Sequence, residues 1–261
     1  MFKLIISLLF AISLPAQALE SPFASEVDGL DIKNSHYVTA EGDKGTLIRG
    51  MEPRTFKDAR QLYAIGVDHI LTFKKSRYKG ERLNEDIQET QDVLHAEGFD
   101  YRQMSHIGFP WKFENTYSNR VEVCEQIVEA MDILESQLAK GKTVYLHCTV
   151  GEDRTGLLAG LFRMKNHNWS AKEAFHLEMC ENGYEHGNRR KPFKPVVVPI
   201  RESLTPMFWE LAYVLSETPE RWGKGMCKRL GRDSEYRRNW KPELQFMKCP
   251  NSSKFPYQEG R

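Results

Sequence analysis

Cys148 and Arg154 stand with five residues between them in the run His147-Cys148-Thr149-Val150-Gly151-Glu152-Asp153-Arg154-Thr155-Gly156, and this run carries the chemistry. Thr143 to Cys148 is β-branched and aromatic, as a buried strand requires, while Gly156 to Met164 continues as an apolar helix. The loop between them therefore lies at a strand's carboxyl end and a helix's amino end. Backbone N–H groups without an intrahelical partner converge there, and the helix dipole favours negative charge. A phosphate dianion fits such a nest: Thr149, Val150, Gly151 and Glu152 supply the cradle, and Gly151 lets the backbone turn inward. Arg154 adds two parallel N–H donors, which a lysine's point charge cannot do. The same field lowers a thiol pKa from about 8.5 by several units. A drop of three units corresponds to roughly 4 kcal/mol of thiolate stabilisation, so Cys148 is expected to be an ionised nucleophile at neutral pH.

Taken singly, a cysteine in an apolar strand is usually a small buried hydrophobe, and an arginine near a helix start usually faces solvent. Six residue types at fixed offsets between a strand and a helix favour the phosphate cradle instead. No Gly-Lys-Ser/Thr follows the glycine, which excludes an ATP-binding loop.

The loop resembles that of the cysteine-dependent tyrosine and dual-specificity phosphatases, His-Cys-x-x-Gly-x-x-Arg-Ser/Thr. Leu47-Ile-Arg-Gly-Met-Glu-Pro53, then a helical stretch and Gly66 to Phe73, is similar to the early part of compact bacterial and fungal members, so the resemblance spans about residues 37–183. Secreted bacterial phosphatases that act on inositol polyphosphates are closest in overall character. The resemblance implies a phosphocysteine intermediate on Cys148, Arg154 on the phosphoryl oxygens, a hydrogen bond from Thr155 to the sulfur, and His147 orienting the loop. Where the family places an aspartate on an upstream loop, this chain reads Ser105 to Glu114 without one. Some relatives carry the acid inside the loop, where Asp153 stands, so Asp153 is the first choice of general acid, with His106 and Glu114 behind it. A helix amino-terminal carboxylate held by the dipole is the plain alternative for Asp153. No metal or organic cofactor is required. Rivals are a phosphotyrosine or dual-specificity protein phosphatase, a phosphate-binding pseudoenzyme and a sulfur-transfer enzyme of the rhodanese type.

Residues 1–18 read as an export signal: Lys3, an apolar run from Leu4 to Ile12, and Ala16-Gln-Ala18 as a cleavage site. The run is too short for a membrane anchor, so a periplasmic or secreted location is expected. Without that segment the chain holds 36 basic and 36 acidic residues; residues 189–261 carry 16 basic against 8 acidic. A nucleic-acid role would have to rest on this tail alone, and no recognised motif supports it. The expected partner is a phosphorylated small molecule, with inositol polyphosphate as the substrate class. Lys74 and Lys75, past the strand ending at Phe73, are candidates to touch substrate, as is His106. Arg49 either braces the loop or contacts substrate.

The organisation expected is a signal over 1–18, a phosphatase domain over 19–190, and a basic extension over 191–261 packed on the same domain. Strands alternate with helices, which argues for an α/β fold: a central sheet flanked by helices. Strands are expected at 36–39, 46–49, 67–73 and 99–105, and helices from Thr55 to Gly66, over 84–97 and 118–140, and from Ser170 toward Gly183. Prolines between Pro192 and Pro199 suggest an extended connection, with Thr205-Pro206 capping a later helix. With Cys148 reserved as thiolate, four cysteines remain. Cys227 and Cys249 flank the segment that most needs a staple, while Cys124 and Cys180 read as core.

Overall fold

A computed structural model describes residues 26–75, 85–114, 116–187, 191–230 and 249. The expected export signal and residues 231–248 and 250–261 of the basic extension lie outside them. Five strands form one sheet in the order β1-β2-β5-β3-β4: β1 (His36–Tyr37), β2 (Thr46–Gly50), β3 (His69–Phe73), β4 (Met104–Ile107) and β5 (Thr143–His147). All neighbours are parallel except β1 and β2. The period-2 alternation of the strands divides their side chains between two cores. Leu47, Leu71, Val144 and Leu146 join one; Ile48, Ile70 and Tyr145 join the other.

Helices α1 (Phe56–Ala64) and α2 (Glu85–Ala96) cover the smaller core through Ala59, Leu62 and Leu94. A capping box starts α1: the Thr55 hydroxyl accepts from Asp58 N at 3.2 Å, while Asp58 Oδ2 accepts from Thr55 N at 2.9 Å. The larger core is covered by α3 (Tyr117–Leu138), α4 (Asp153–His167) and α6 (Val198–Glu217). Between them, α5 (Ala171–Glu173) opens on a Ser170 capping box and winds on as π-helical turns over Ala174–Cys180. A short α7 (Lys224–Cys227) packs on α3. Among the described residues no helix is long and apolar enough to cross a membrane.

Three expectations are corrected. The strand expected from Phe99 begins only at Met104, because Asp100 initiates a turn: its Oδ1 accepts from Arg102 N at 2.9 Å and its carbonyl from Gln103 N at 2.8 Å. The segment from Pro192 to Pro199 is helical rather than extended, with π-helical turns at Phe193–Val197 leading into α6. Pro199 falls in the first turn of α6, where its missing N–H costs nothing, and Pro206 lies inside the helix instead of capping it. Burial of Ile200, Leu204, Phe208 and Trp209 outweighs the single backbone bond that Pro206 removes. Lastly, Cys227 and Cys249 do not staple each other. The bridges are Cys124–Cys227 and Cys180–Cys249, each joining the extension to the core that precedes it, and Cys148 alone is free.

Candidate active site

The carboxyl ends of β2, β5 and β3 lie side by side, and the loop from Cys148 to Glu152 leaves β5 between the other two. Its shape depends on Gly151. That residue has φ +75°, and a Cβ there would lie 2.5 Å from the carbonyl carbon and oxygen of Gly50, so only glycine fits. Asn34 Nδ2 donates to Val150 O at 2.7 Å, and Arg49 Nη2 donates to Gly151 O at 2.5 Å. Arg49 is wholly buried, which settles the two roles left open for it: it braces the loop and does not reach substrate.

Arg49 is itself held by Glu178. Its Nη1 donates to the carbonyl and, at 2.8 Å, to Oε2 of Glu178. Arg163 Nε reaches the other carboxylate oxygen at 2.9 Å and His36 Nε2 lies 3.2 Å from Oε2. Burial alone would raise the Glu178 carboxyl, but His36, Arg49 and Arg163 together hold it at about 2. Gly156 permits this contact, since a Cβ there would meet the Glu178 carbonyl at 2.7 Å. Glu178, Arg163 and Asn34 went unnoticed in the sequence. Glu178 and Arg163 sit at helical positions that ordinarily face solvent, and the only available signal was their unusually apolar surroundings.

Cys148 is buried at the start of the loop. Burial would push its thiol up, but the Arg154 guanidinium and the adjoining Thr155 outweigh that and hold it below its ordinary value. Arg154 is fixed by Thr149 Oγ1 at 3.0 Å and by the Phe109 carbonyl at 3.3 Å. Phe109 belongs to the loop after β4 and stacks on Phe73 with 4.2 Å between ring centroids. His147 donates from Nδ1 to Cys148 O at 3.0 Å, and Thr72 Oγ1 lies 3.1 Å from Nε2. Burial pushes this imidazole down to about 4, so it is neutral, and both nitrogens are engaged in orienting the strand end.

The remaining expected residues separate. Asp153 and Glu152 are buried beside the loop, and both carboxylates bond Lys191 Nζ, at 2.6 and 2.8 Å. Lys74 is corrected as a substrate contact: it is buried and its ammonium is bound by Glu52, which also accepts from Thr90 Oγ1 at 2.9 Å. Lys75 is exposed at the end of β3. His106 donates from Nε2 to Lys74 O at 2.6 Å, and burial pushes it below the usual imidazole value, so it serves the strand end. Glu114 is exposed. One cation missed in the sequence stands at the rim: Arg54, with its side chain 42% exposed, has Nη2 3.5 Å from Thr149 O and Nε 3.6 Å from Glu52 Oε2.

A thiol of lowered pKa, an arginine fork and a helix amino terminus at the carboxyl end of a parallel strand define a cysteine-dependent phosphatase. The dual-specificity phosphatase catalytic-domain model matches residues 57–190, and the chain belongs to that family. No curated protein matches the chain. Among solved structures it is similar to P. aeruginosa TpbA, at 16% identity over 76% of this chain and 99% of that one, with a TM-score of 0.46. It is also similar to the core catalytic domain of the PP-IP phosphatase SIW14 from S. cerevisiae, at 20% identity over 81% and 96% of the two chains, with a TM-score of 0.42.

Proposed function

We propose that this phosphatase is exported and hydrolyses inositol polyphosphates through a phosphocysteine. In the first step Cys148 Sγ forms a bond to phosphorus as the ester P–O bond breaks, with Arg154 and the loop N–H groups on the three equatorial oxygens. Asp153 donates a proton to the departing oxygen. Its Oδ1 is bonded to Lys191 in the free enzyme, and the dianionic ester draws the proton onto the carboxyl from water as it binds. Water then attacks phosphorus, the S–P bond breaks, and inorganic phosphate leaves.

The observation that carries the substrate class is the exposed guanidinium of Arg54 beside Thr149, on a loop that by itself needs only one phosphate. A substrate with several phosphates offers a second anion for that cation, and Lys75 adds another charge at the neighbouring strand end. Export is supported by the residue pattern of 1–18 and by two disulfides that spare only Cys148, as an oxidising compartment allows.

Inositol hexakisphosphate is expected to be hydrolysed with a higher kcat/KM than a phosphotyrosine peptide, and added salt is expected to narrow the gap. Arg54→Ala should raise KM for the inositol substrate about tenfold, the loss of one charged hydrogen bond of about 1.5 kcal/mol, while sparing nitrophenyl phosphate. If the peptide is the better substrate at low salt and Arg54 is indifferent, a protein phosphatase takes the place of this reading.

A further inference from the structure

The family match ends at residue 190, and the next residue reaches the catalytic loop from outside it. Lys191 is only 4% exposed, and its Nζ donates to Asp153 Oδ1 at 2.6 Å, Glu152 Oε2 at 2.8 Å and Gly183 O at 3.1 Å. The two carboxylates occupy the N-cap and the first residue of α4. The helix dipole welcomes acids there, but a thiolate and a phosphate dianion must gather at the same end.

Their charges oppose the chemistry. Asp153 works against ionisation of Cys148, which Arg154 and Thr155 favour. Burial and the neighbouring Asp153 push the Glu152 carboxyl up to about 6, with Lys191 and Arg49 pulling against them. With His147 neutral, the charges against the loop are Arg49, itself paired with Glu178, Arg54 at the rim, Arg154 and Lys191 on one side and Cys148, Glu152 and Asp153 on the other. Lys191 is the cation bonded to both carboxylates, and without it their two negative charges stand beside the thiolate. A dianionic ester would then approach carboxylates of its own sign.

We infer that Lys191 is a positioning residue of the reaction: by bonding Glu152 and Asp153 together it removes one negative charge from the catalytic loop, so that Cys148 stays ionised and the loop accepts a phosphate dianion. The basic extension thereby supplies a working part of the site. This holds whichever phosphate ester is the natural substrate.

The test uses the full-length protein, nitrophenyl phosphate, and the pH dependence of Cys148 alkylation by iodoacetamide, which reports the thiolate. Lys191→Met is expected to lower kcat/KM about tenfold or more and to move the alkylation midpoint up by about one pH unit. Lys191→Met combined with Glu152→Gln removes one charge of each sign, so the alkylation midpoint should return to within a few tenths of a unit of the parent's, and kcat/KM should recover severalfold from that of Lys191→Met. A purely structural lysine gives a different pattern: loss of activity and melting temperature with an unmoved midpoint, and no relief in the double variant. Either result in folded protein overturns the inference. Should Lys191→Met fail to fold, Lys191→Arg and the double variant decide. A preserved midpoint in both supports charge compensation, and a displaced midpoint in either rejects it.

Discussion

At the scale of single residues, the loop joins a nucleophile whose burial works against it to neighbours that overcome the penalty. Replacing the sulfur separates binding from turnover. Cys148→Ser should abolish hydrolysis of nitrophenyl phosphate while a phosphate ester still binds measurably by calorimetry, because Arg154 and the loop N–H groups remain; activity within tenfold of the parent would reject covalent catalysis. The lowered thiol has a definite pH signature. Cys148 alkylation should already proceed in the range where an ordinary cysteine, with a pKa of about 8.5, is protonated, and should fall off only as pH drops through the lowered value. The acid is read from leaving groups. Asp153→Asn should slow an alkyl phosphate far more than nitrophenyl phosphate, whose departing oxygen hardly needs a proton, and equal losses would make Asp153 structural.

At the scale of elements, the loop is held from β2 and from the π-helical turns after α5, with Glu178 as the joint between them. This carboxylate sits between two buried arginines, so Glu178→Gln leaves their charges uncompensated and should cost about 3 to 5 kcal/mol, measured by denaturant unfolding. The same joint sets acid stability. The Glu178 pKa is depressed to about 2 in the folded chain from an ordinary 4.5, so its contribution is fully present above 4.5 and is lost as pH falls toward 2. That difference amounts to about 3 kcal/mol. The buried His36, pushed down mainly by desolvation, adds to the acid lability because the unfolded chain takes its proton first. Urea midpoints measured from pH 5 down to pH 2.5 should fall steeply in the parent and less so in Glu178→Gln.

At the scale of the whole molecule, two disulfides tie the extension to the α/β core, closing separations of 103 and 69 residues. Cross-links over such lengths restrict the unfolded chain by about 4 to 5 kcal/mol each in the chain-entropy account. Cys124→Ser with Cys227→Ser should therefore lower Tm by several degrees while leaving kcat near the parent value, since this bridge joins α3 to α7 and neither helix carries a residue that holds the loop. Removing the Cys180–Cys249 bridge should cost activity as well as stability. Cys180 ends the turns that carry Glu178, and the Cys249 N–H donates to Glu185 at 3.2 Å close to the Gly183 turn that Lys191 bonds.

The catalytic loop is legible along the chain, because a phosphate nest is made from consecutive residues: strand, Cys148, Gly151, Arg154 and helix follow one another, and local backbone physics places them. The same holds for the capping boxes at Thr55 and Ser170 and for the alternating burial of the strands, whose periods are local properties. The rest depends on contacts that exist only in the folded chain. Lys74 and Arg54 are both cations near strand ends, and nothing local says that Glu52 buries the first and leaves the second at the rim. Glu178 braces the loop from 27 positions beyond Gly151, and Lys191 neutralises it from 38 positions beyond Asp153. Gly156 read as part of a loop signature, whereas its steric reason is the Glu178 carbonyl of another element. The cysteine pairing and the helix through Pro206 were decided in the same way. Each is a contact or a burial between distant segments, and its energy exists only once the chain has folded around it.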